Sequence, residues 1–259
     1  MYDFDPKRAA RFIADQHRTL ATYQNLPAEH APPSIRDAYR IQDELRALWT
    51  PLHGQVKGLK IATTTKVMQQ LMGIDHPIGG QIYERRIHNS PADLNLGDYI
   101  HLMIECELAV RLGGGLPRQD RPYTLEDVRA AVTEVLPAFE MIEDRNAVYR
   151  ETQATTLIAD NAWNGGIVLG PSRRVPADLD LNGIGGRLTI NGVERDRGRT
   201  DNPMGALAWV ANLARDRGQA IEPGMVVITG SVVVTVPIAA GDKFEFTLDG
   251  IGTAKMTAH

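Results

Sequence analysis

The sequence predicts an α+β fold in which a helical N-terminal part leads into a mixed, β-rich remainder. Three observations predict it. Apolar residues recur at helical spacing through the first third, the period changes to two near residue 100, and Asn-Gly and Asp-Gly turns punctuate the last third. Helices do not alternate with strands in the strict order of a doubly wound sheet. The predicted division is residues 1–75, mainly helical, and residues 76–259, β-rich and carrying the candidate site.

Pro6 to Tyr23 reads as a first helix, with Phe12, Ile13 and Leu20 near one face. Ala31-Pro32-Pro33 separates it from a second, which Ser34 and Asp37 start and Ile35, Ala38, Leu45 and Leu48 continue. Thr64 to Met72 reads as a short third helix with Val67, Met68, Leu71 and Met72 as its apolar face and Gly73 as its stop. From Ile100 to Leu112 every second residue is apolar, so this is a strand, ended by Gly113-Gly114-Gly115. A helix is expected from Thr124, with Leu125, Val128, Ala131 and Val135 inward and Pro137 closing it. Asn191-Gly192 signals a type I′ hairpin. Asn202 caps a last helix that runs through Trp209 to Gly218. Strands are expected at Met225–Thr229, Ser231–Val236, Lys243–Leu248 and Ile251–Thr257.

Composition narrows the function. The chain has 259 residues, 43% hydrophobic and 23% charged, so it can bury a sizeable core and is not a disordered or collagenous chain. The net charge is −4 without a basic run, which argues against nucleic acid and anionic membrane as partners. The one cysteine, Cys106, excludes an intrachain disulfide framework and falls on the apolar face of its strand, as a core residue does. The acidic start, Met1-Tyr-Asp-Phe-Asp, has no apolar h-region, and the most apolar stretch, Met225–Ala240, is shorter than the roughly 18 residues of a membrane span. A cytoplasmic protein is expected. Walker, dinucleotide-binding, zinc and Gly-x-Ser-x-Gly signatures are absent from the sequence.

Glu105 and Glu107 are the informative pair. Spacing of two puts both on one strand face. Paired carboxylates repel and lose hydration when buried, and a hard cation such as Mg²⁺ or Mn²⁺ relieves both costs. A solvated sheet face is the other reading. Glu140 lies among Phe139, Met141 and Ile142 in a second acidic run that ends in Glu143-Asp144-Arg145. Lys60, flanked by Leu59 and Ile61, is a candidate carboxylate holder, and Asp160-Asn161-Ala162 reads as a polar loop.

Eight segments then occur in one order: Gly58-Leu-Lys-Ile, Met72-Gly-Ile-Asp-His-Pro, Ile104-Glu-Cys-Glu-Leu-Ala, Leu136-Pro-Ala-Phe-Glu, Ile158-Ala-Asp-Asn-Ala, Gly205-Ala-Leu-Ala-Trp-Val-Ala-Asn, Val227-Ile-Thr-Gly and Gly250-Ile-Gly. Together they resemble the 2-oxopent-4-enoate hydratase / 4-oxalocrotonate decarboxylase family of the fumarylacetoacetate hydrolase superfamily. The resemblance implies a β-rich roll of the fumarylacetoacetate hydrolase C-terminal type. It implies Mg²⁺ or Mn²⁺ on Glu105, Glu107 and Glu140, with Lys60 and Asp75 as catalytic residues and Asp160, Asn161 and Trp163 lining the substrate pocket. The implied activity adds water to a short 2-hydroxy-2,4-dienoate or 2-oxo-enoate, giving a 4-hydroxy-2-oxo acid, as in aromatic meta-cleavage catabolism. Decarboxylation of a 2-oxo dioic acid, C–C hydrolysis of an acylpyruvate and a non-catalytic relative are the alternatives. A homo-oligomer, with another pathway enzyme as a further partner, is the implied assembly. The chain departs from the family where Ala62-Thr63-Thr64-Thr65 replaces Gly-Leu-Thr-Ser, where Trp163 replaces a serine, and where Asp201-Asn202-Pro203 replaces Gly-His-Pro after a shortened loop. Trp163 offers a flat apolar wall and no hydroxyl, so altered substrate selection is expected.

Overall fold

The computed structural model describes residues 4–174 and 180–259; Met1 to Asp3, the start of the acidic N-terminus read above, lie outside the described residues. Two helices come first. α1 (Pro6–Arg18) is capped by Asp5 and α2 (Ile35–His53) by Ser34, whose hydroxyl accepts from the Asp37 amide. They pack through Ala9, Ala10, Ile13, Ile41, Leu45 and Trp49. α1 is shorter than its pattern suggested. It stops before Leu20, which sits at positive φ and is exposed, because the chain turns there to reach Arg145, whose carbonyl accepts from the Tyr23 amide.

β1 (Val56–Ala62), the short α3 (Lys66–Leu71), β2 (Ile78–Tyr83), β3 (Ile87–Asn89), β4 (Ala92–Leu94) and β5 (Leu102–Leu112) follow. After α4 (Leu125–Ala131) come β6 (Val132–Glu143), α5 (Ala154–Ala159), β7 (Asn164–Leu169) and β8 (Arg173–Arg174). The hairpin β9 (Gly185–Ile190) and β10 (Val193–Arg199) precedes α6 (Pro203–Asp216), and β11 (Val226–Ser231), β12 (Val236–Pro237), β13 (Lys243–Leu248) and β14 (Gly252–Ala258) end the chain. Asn191 and Gly192 both take positive φ, as a type I′ turn requires.

Among the described residues the strands form two sheets. The larger runs β2-β1-β11-β5-β6-β7-β3, with β12 on β5 and β8 on β6; the smaller runs β10-β9-β13-β14-β4. Segments 1–75 and 76–259 meet in the larger sheet, where β1 pairs with β2 and β11. The apolar face of β5, Leu102 to Leu112, packs with Phe139, Phe244 and Phe246 into one core. Cys106 lies in that core with no exposure, and burial pushes its thiol well up, so it is a packing residue.

Three further expectations change. The helix from Thr124 ends at Ala131, not Pro137: Val132 onward pairs with β5, a ladder that outweighs the weak helical pattern of Val135. Pro137 is tolerated inside β6 because its main-chain edge faces the end of β7, where its carbonyl accepts from Gly170 and no ladder amide is required. In α3, Met72 at its C-cap is buried, whereas Val67 and Leu71 face solvent. Ser231–Val236 is not one strand; the chain leaves the sheet after Ser231 and rejoins only at Val236.

Candidate metal site and cavity

The β5–β6 register builds the site. Glu105 stands directly opposite Glu140, and Glu107 opposite Ala138. Directly opposed residues share a face, so three carboxylates converge beside a methyl group that leaves them room. One oxygen from each lies within 4.8 Å of the others. Glu107 and Glu140 have no exposed surface, which removes the solvated-face reading for both.

The partners of these carboxylates are few. Thr235 donates to Glu105 Oε1 (2.8 Å), the Gly230 amide to Glu107 Oε2 (2.7 Å), and Asn164 Nδ2 to Glu140 Oε1 (2.7 Å). Lys60 Nζ also donates to Glu140 Oε1 (2.8 Å) and to the Ala162 carbonyl (2.9 Å). Glu107 Oε1 and Glu140 Oε2 are buried without a hydrogen-bond partner. Burial, then the Glu140 and Glu105 charges, hold the Glu107 carboxyl well above the ordinary carboxylate range. Burial raises Glu140 as well, against the pull of Lys60 and with Glu105 adding to the rise.

These observations fit a hard divalent cation. At this spacing each carboxylate pair repels by on the order of 3–4 kcal/mol at an effective dielectric near 20. One lysine cannot balance three such groups. Fully ionised, Glu105, Glu107, Glu140 and Lys60 sum to −2, the charge a divalent ion cancels, and two unpartnered carboxylate oxygens are ligands of the right type.

Lys60 reaches the cluster from β1 because its neighbour on β2 is glycine. A Cβ on Gly80 would lie 2.9 Å from Lys60 Cγ and 2.8 Å from the Asn161 carbonyl. Lys60 is 1% exposed yet lines a cavity of about 460 Å³, as do Glu105, Trp163, Met68, Met72 and Tyr149. An ammonium has three donors, and two are engaged by Glu140 and Ala162, so the third is available to a molecule in the cavity.

The other expected residues divide. Trp163 lines the cavity, packed edge-on against Tyr23 and Tyr149 at centroid distances of 5.1 and 5.3 Å. Asp160 and Asn161 do not line it. Asp160 is 1% exposed and accepts from His17 Nε2 (2.6 Å) and from Arg145. Asn161 uses its side chain as a strand would: Oδ1 accepts from the Gln81 amide (2.7 Å) and Nδ2 donates to the Gln81 carbonyl (2.8 Å), closing the free edge of β2. Asp75 is exposed on the turn after α3, outside the residues that line the cavity, because the chain turns away at Gly73 to enter β2.

The sequence reading passed over Asn164, Gly230, Thr235 and Tyr149. Asn164 follows Trp163 in the same polar loop, and Gly230 ends Val227-Ile-Thr-Gly, so each carried a positional signal. Thr235 was hidden by the expected strand. Tyr149 donates to Asp144 Oδ2 (3.1 Å), and both Glu143 and Asp144 are buried.

The chain is similar to known proteins over most of its length. Residues 88–258 match the fumarylacetoacetate (FAA) hydrolase C-terminal family. A 2-hydroxyhexa-2,4-dienoate hydratase of Comamonas testosteroni is 31% identical, with 92% of each chain covered. A 2-oxo-hept-4-ene-1,7-dioate hydratase of Escherichia coli is 32% identical, with 85% of each covered. The solved 4-oxalocrotonate decarboxylase of Pseudomonas putida G7, complexed with magnesium and adipate, superposes with a TM-score of 0.88 at 25% identity, covering 98% of this chain and 97% of its own.

Proposed function

Because the chain belongs to the fumarylacetoacetate hydrolase C-terminal family, we propose that it is a divalent-metal-dependent hydratase. Its substrate is a short 2-hydroxy-2,4-dienoate or 2-oxo-enoate, and its product a 4-hydroxy-2-oxo acid. The observation that carries the reading is the trio Glu105, Glu107 and Glu140, the last two fully buried, with two carboxylate oxygens left unpartnered. The hydratase names of the relatives support it.

Glu105, Glu107 and Glu140 would hold the ion. Bound there, Mg²⁺ or Mn²⁺ would supply a Lewis acid for the oxygen that gathers negative charge during the reaction. Lys60 contributes its third N–H to that oxygen, fixed in place by Glu140 and Ala162 before substrate arrives. Asn164 holds Glu140, and the Gly230 amide holds Glu107, so neither carboxylate must reorganise. Thr64, packed near Gly230, brings a hydroxyl to the same end for the substrate carboxylate. Met68 and Met72 exclude bulk water from the far side. The proton-shuttling role implied for Asp75 requires the turn after α3 to close over the cavity. Asp160 and Asn161 act by positioning Ala162 and Trp163. A homo-oligomer and association with another enzyme of the same catabolic sequence complete the proposal.

The solved decarboxylase supports a second reading, loss of CO₂ from a 2-oxo dioic acid at the same site. Incubating the Mg²⁺-loaded protein with 2-oxo acids of both kinds separates the outcomes. Water addition to a 2-oxo-enoate supports the hydratase. CO₂ release alone replaces it with the decarboxylase, chain cleavage replaces it with a C–C hydrolase, and no reaction leaves a non-catalytic relative.

A further inference from the structure

The cavity concentrates its charge at one end. On one sheet face the pair Glu105 and Glu140 is followed along β5 and β6 by the pair Met103 and Ile142. Two residues along a strand is about 7 Å, so carboxylate gives way to hydrocarbon within the reach of a short carbon chain. Met72, Ile142, Leu157 and Trp163 form one buried apolar cluster, against which Met68 and Met103 pack, and all six line the cavity. Among the described lining residues Lys60 is the one Lys, Arg or His, and Glu140 and Ala162 hold it at the charged end. Tyr149 offers no spare donor to an anion: its hydroxyl donates to Asp144, a buried carboxylate that also takes the His101 Nδ1 bond (2.7 Å).

A second carboxylate on the substrate would therefore enter an apolar wall with no cation to meet it and Asp144 behind it. The Trp163 Nε1–H, buried there without a partner, is neutral, and a buried anion with no cation beside it is strongly disfavoured, whereas a methyl or alkyl end is favoured. We propose that the juxtaposition of the Glu105/Glu140 pair with the Met103/Ile142 wall makes this site selective for 2-oxo acids with one carboxylate and an apolar end. Dicarboxylic 2-oxo acids of the same length are rejected. The inference rests on the metal and 2-oxo acid reading above. Overall identity does not make this choice, since relatives named for substrates of both kinds match about equally well.

The test uses the full Mg²⁺-loaded chain and two unreactive acids of equal length, 2-oxohexanoate and 2-oxohexanedioate, titrated calorimetrically. The expected result is tighter binding of 2-oxohexanoate by at least about tenfold. Met68→Arg, on the partly exposed α3, is expected to narrow that ratio by supplying the missing cation. Equal or tighter binding of the dioic acid by wild type overturns the selectivity. A ratio unmoved by Met68→Arg overturns the placement of the tail against this wall. If neither acid binds in a Mg²⁺-dependent way, the underlying reading itself is overturned, and the selectivity with it.

Discussion

Glu107 has no exposed surface, one amide partner for its two oxygens, and two carboxylates beside it. Nothing in packing alone repays that arrangement, since a buried charge without a partner costs several kcal/mol. Lys60 is buried in the same cluster, so its substitution is expected to affect stability as well as the proposed chemistry. Lys60→Met is expected to cost about 3 kcal/mol of stability, because it leaves Glu140 less compensated. It should also lower kcat by about 100-fold or more at saturating Mg²⁺. Wild-type kcat in the folded variant would remove Lys60 from the reaction. Trp163→Ser opens the apolar wall and breaks two aromatic contacts. Relative kcat/KM for short over substituted 2-oxo-enoates should shift when measured across a panel. Unchanged ratios would show that Trp163 only packs.

The segment after α5 carries three successive non-glycine residues at positive φ: Asn161, Ala162 and Trp163. Such residues cost on the order of 1–3 kcal/mol each. The Asn161 bonds to Gln81, the Lys60 bond to Ala162, and the Asp160 contacts to His17 and Arg145 hold them there. Asn161→Ala should therefore lower Tm and raise amide exchange at Gln81, while Mg²⁺ affinity changes little. Unaltered exchange at Gln81 would show that the β2 edge does not depend on Asn161. Much of the local structure elsewhere was legible early. Glu-x-Glu on a period-two strand announced a shared face, and Ser34, Asn202 and Asn191-Gly192 announced their caps and turn, because these signals are local. The β5–β6 register that sets Glu140 opposite Glu105 was not legible, because pairing between residues 35 apart leaves no local trace; only the family resemblance named Glu140 as a ligand. The same blindness extended the helix from Thr124 across Val132–Pro137, where a short apolar run suits helix and strand alike. The family resemblance placed Asp160 and Asn161 in the pocket lining, and their burial was not legible because it depends on α1 and β2, distant in sequence.

The molecule joins its N-terminal helices to the sheet that carries the site. His17 on α1 bonds Asp160, and Gln42 on α2 donates to the carbonyls of Gly79 and Ile158 (3.0 and 2.8 Å). No helix among the described residues is long and apolar enough to cross a membrane. His53, at the end of α2 against Trp49 and Tyr83, reports on this docking. Burial, aided by Arg86, pulls its imidazole down from 6.5 to about 4. The folded state then resists a proton that the unfolded chain accepts, so stability falls as pH drops from 6.5 toward 4. His53→Gln should flatten that part of a Tm-against-pH curve; an unchanged slope would assign the acid sensitivity elsewhere.

Glu105, Glu107 and Glu140 are expected to hold one divalent ion. Calorimetric titration of the metal-free chain with Mn²⁺ tests it most directly, comparing wild type with Glu107→Gln and Glu140→Gln. One ion per chain is expected for wild type, with a loss of affinity of about 100-fold or more in each variant. Wild-type affinity in both variants, or no binding by wild type, would contradict it.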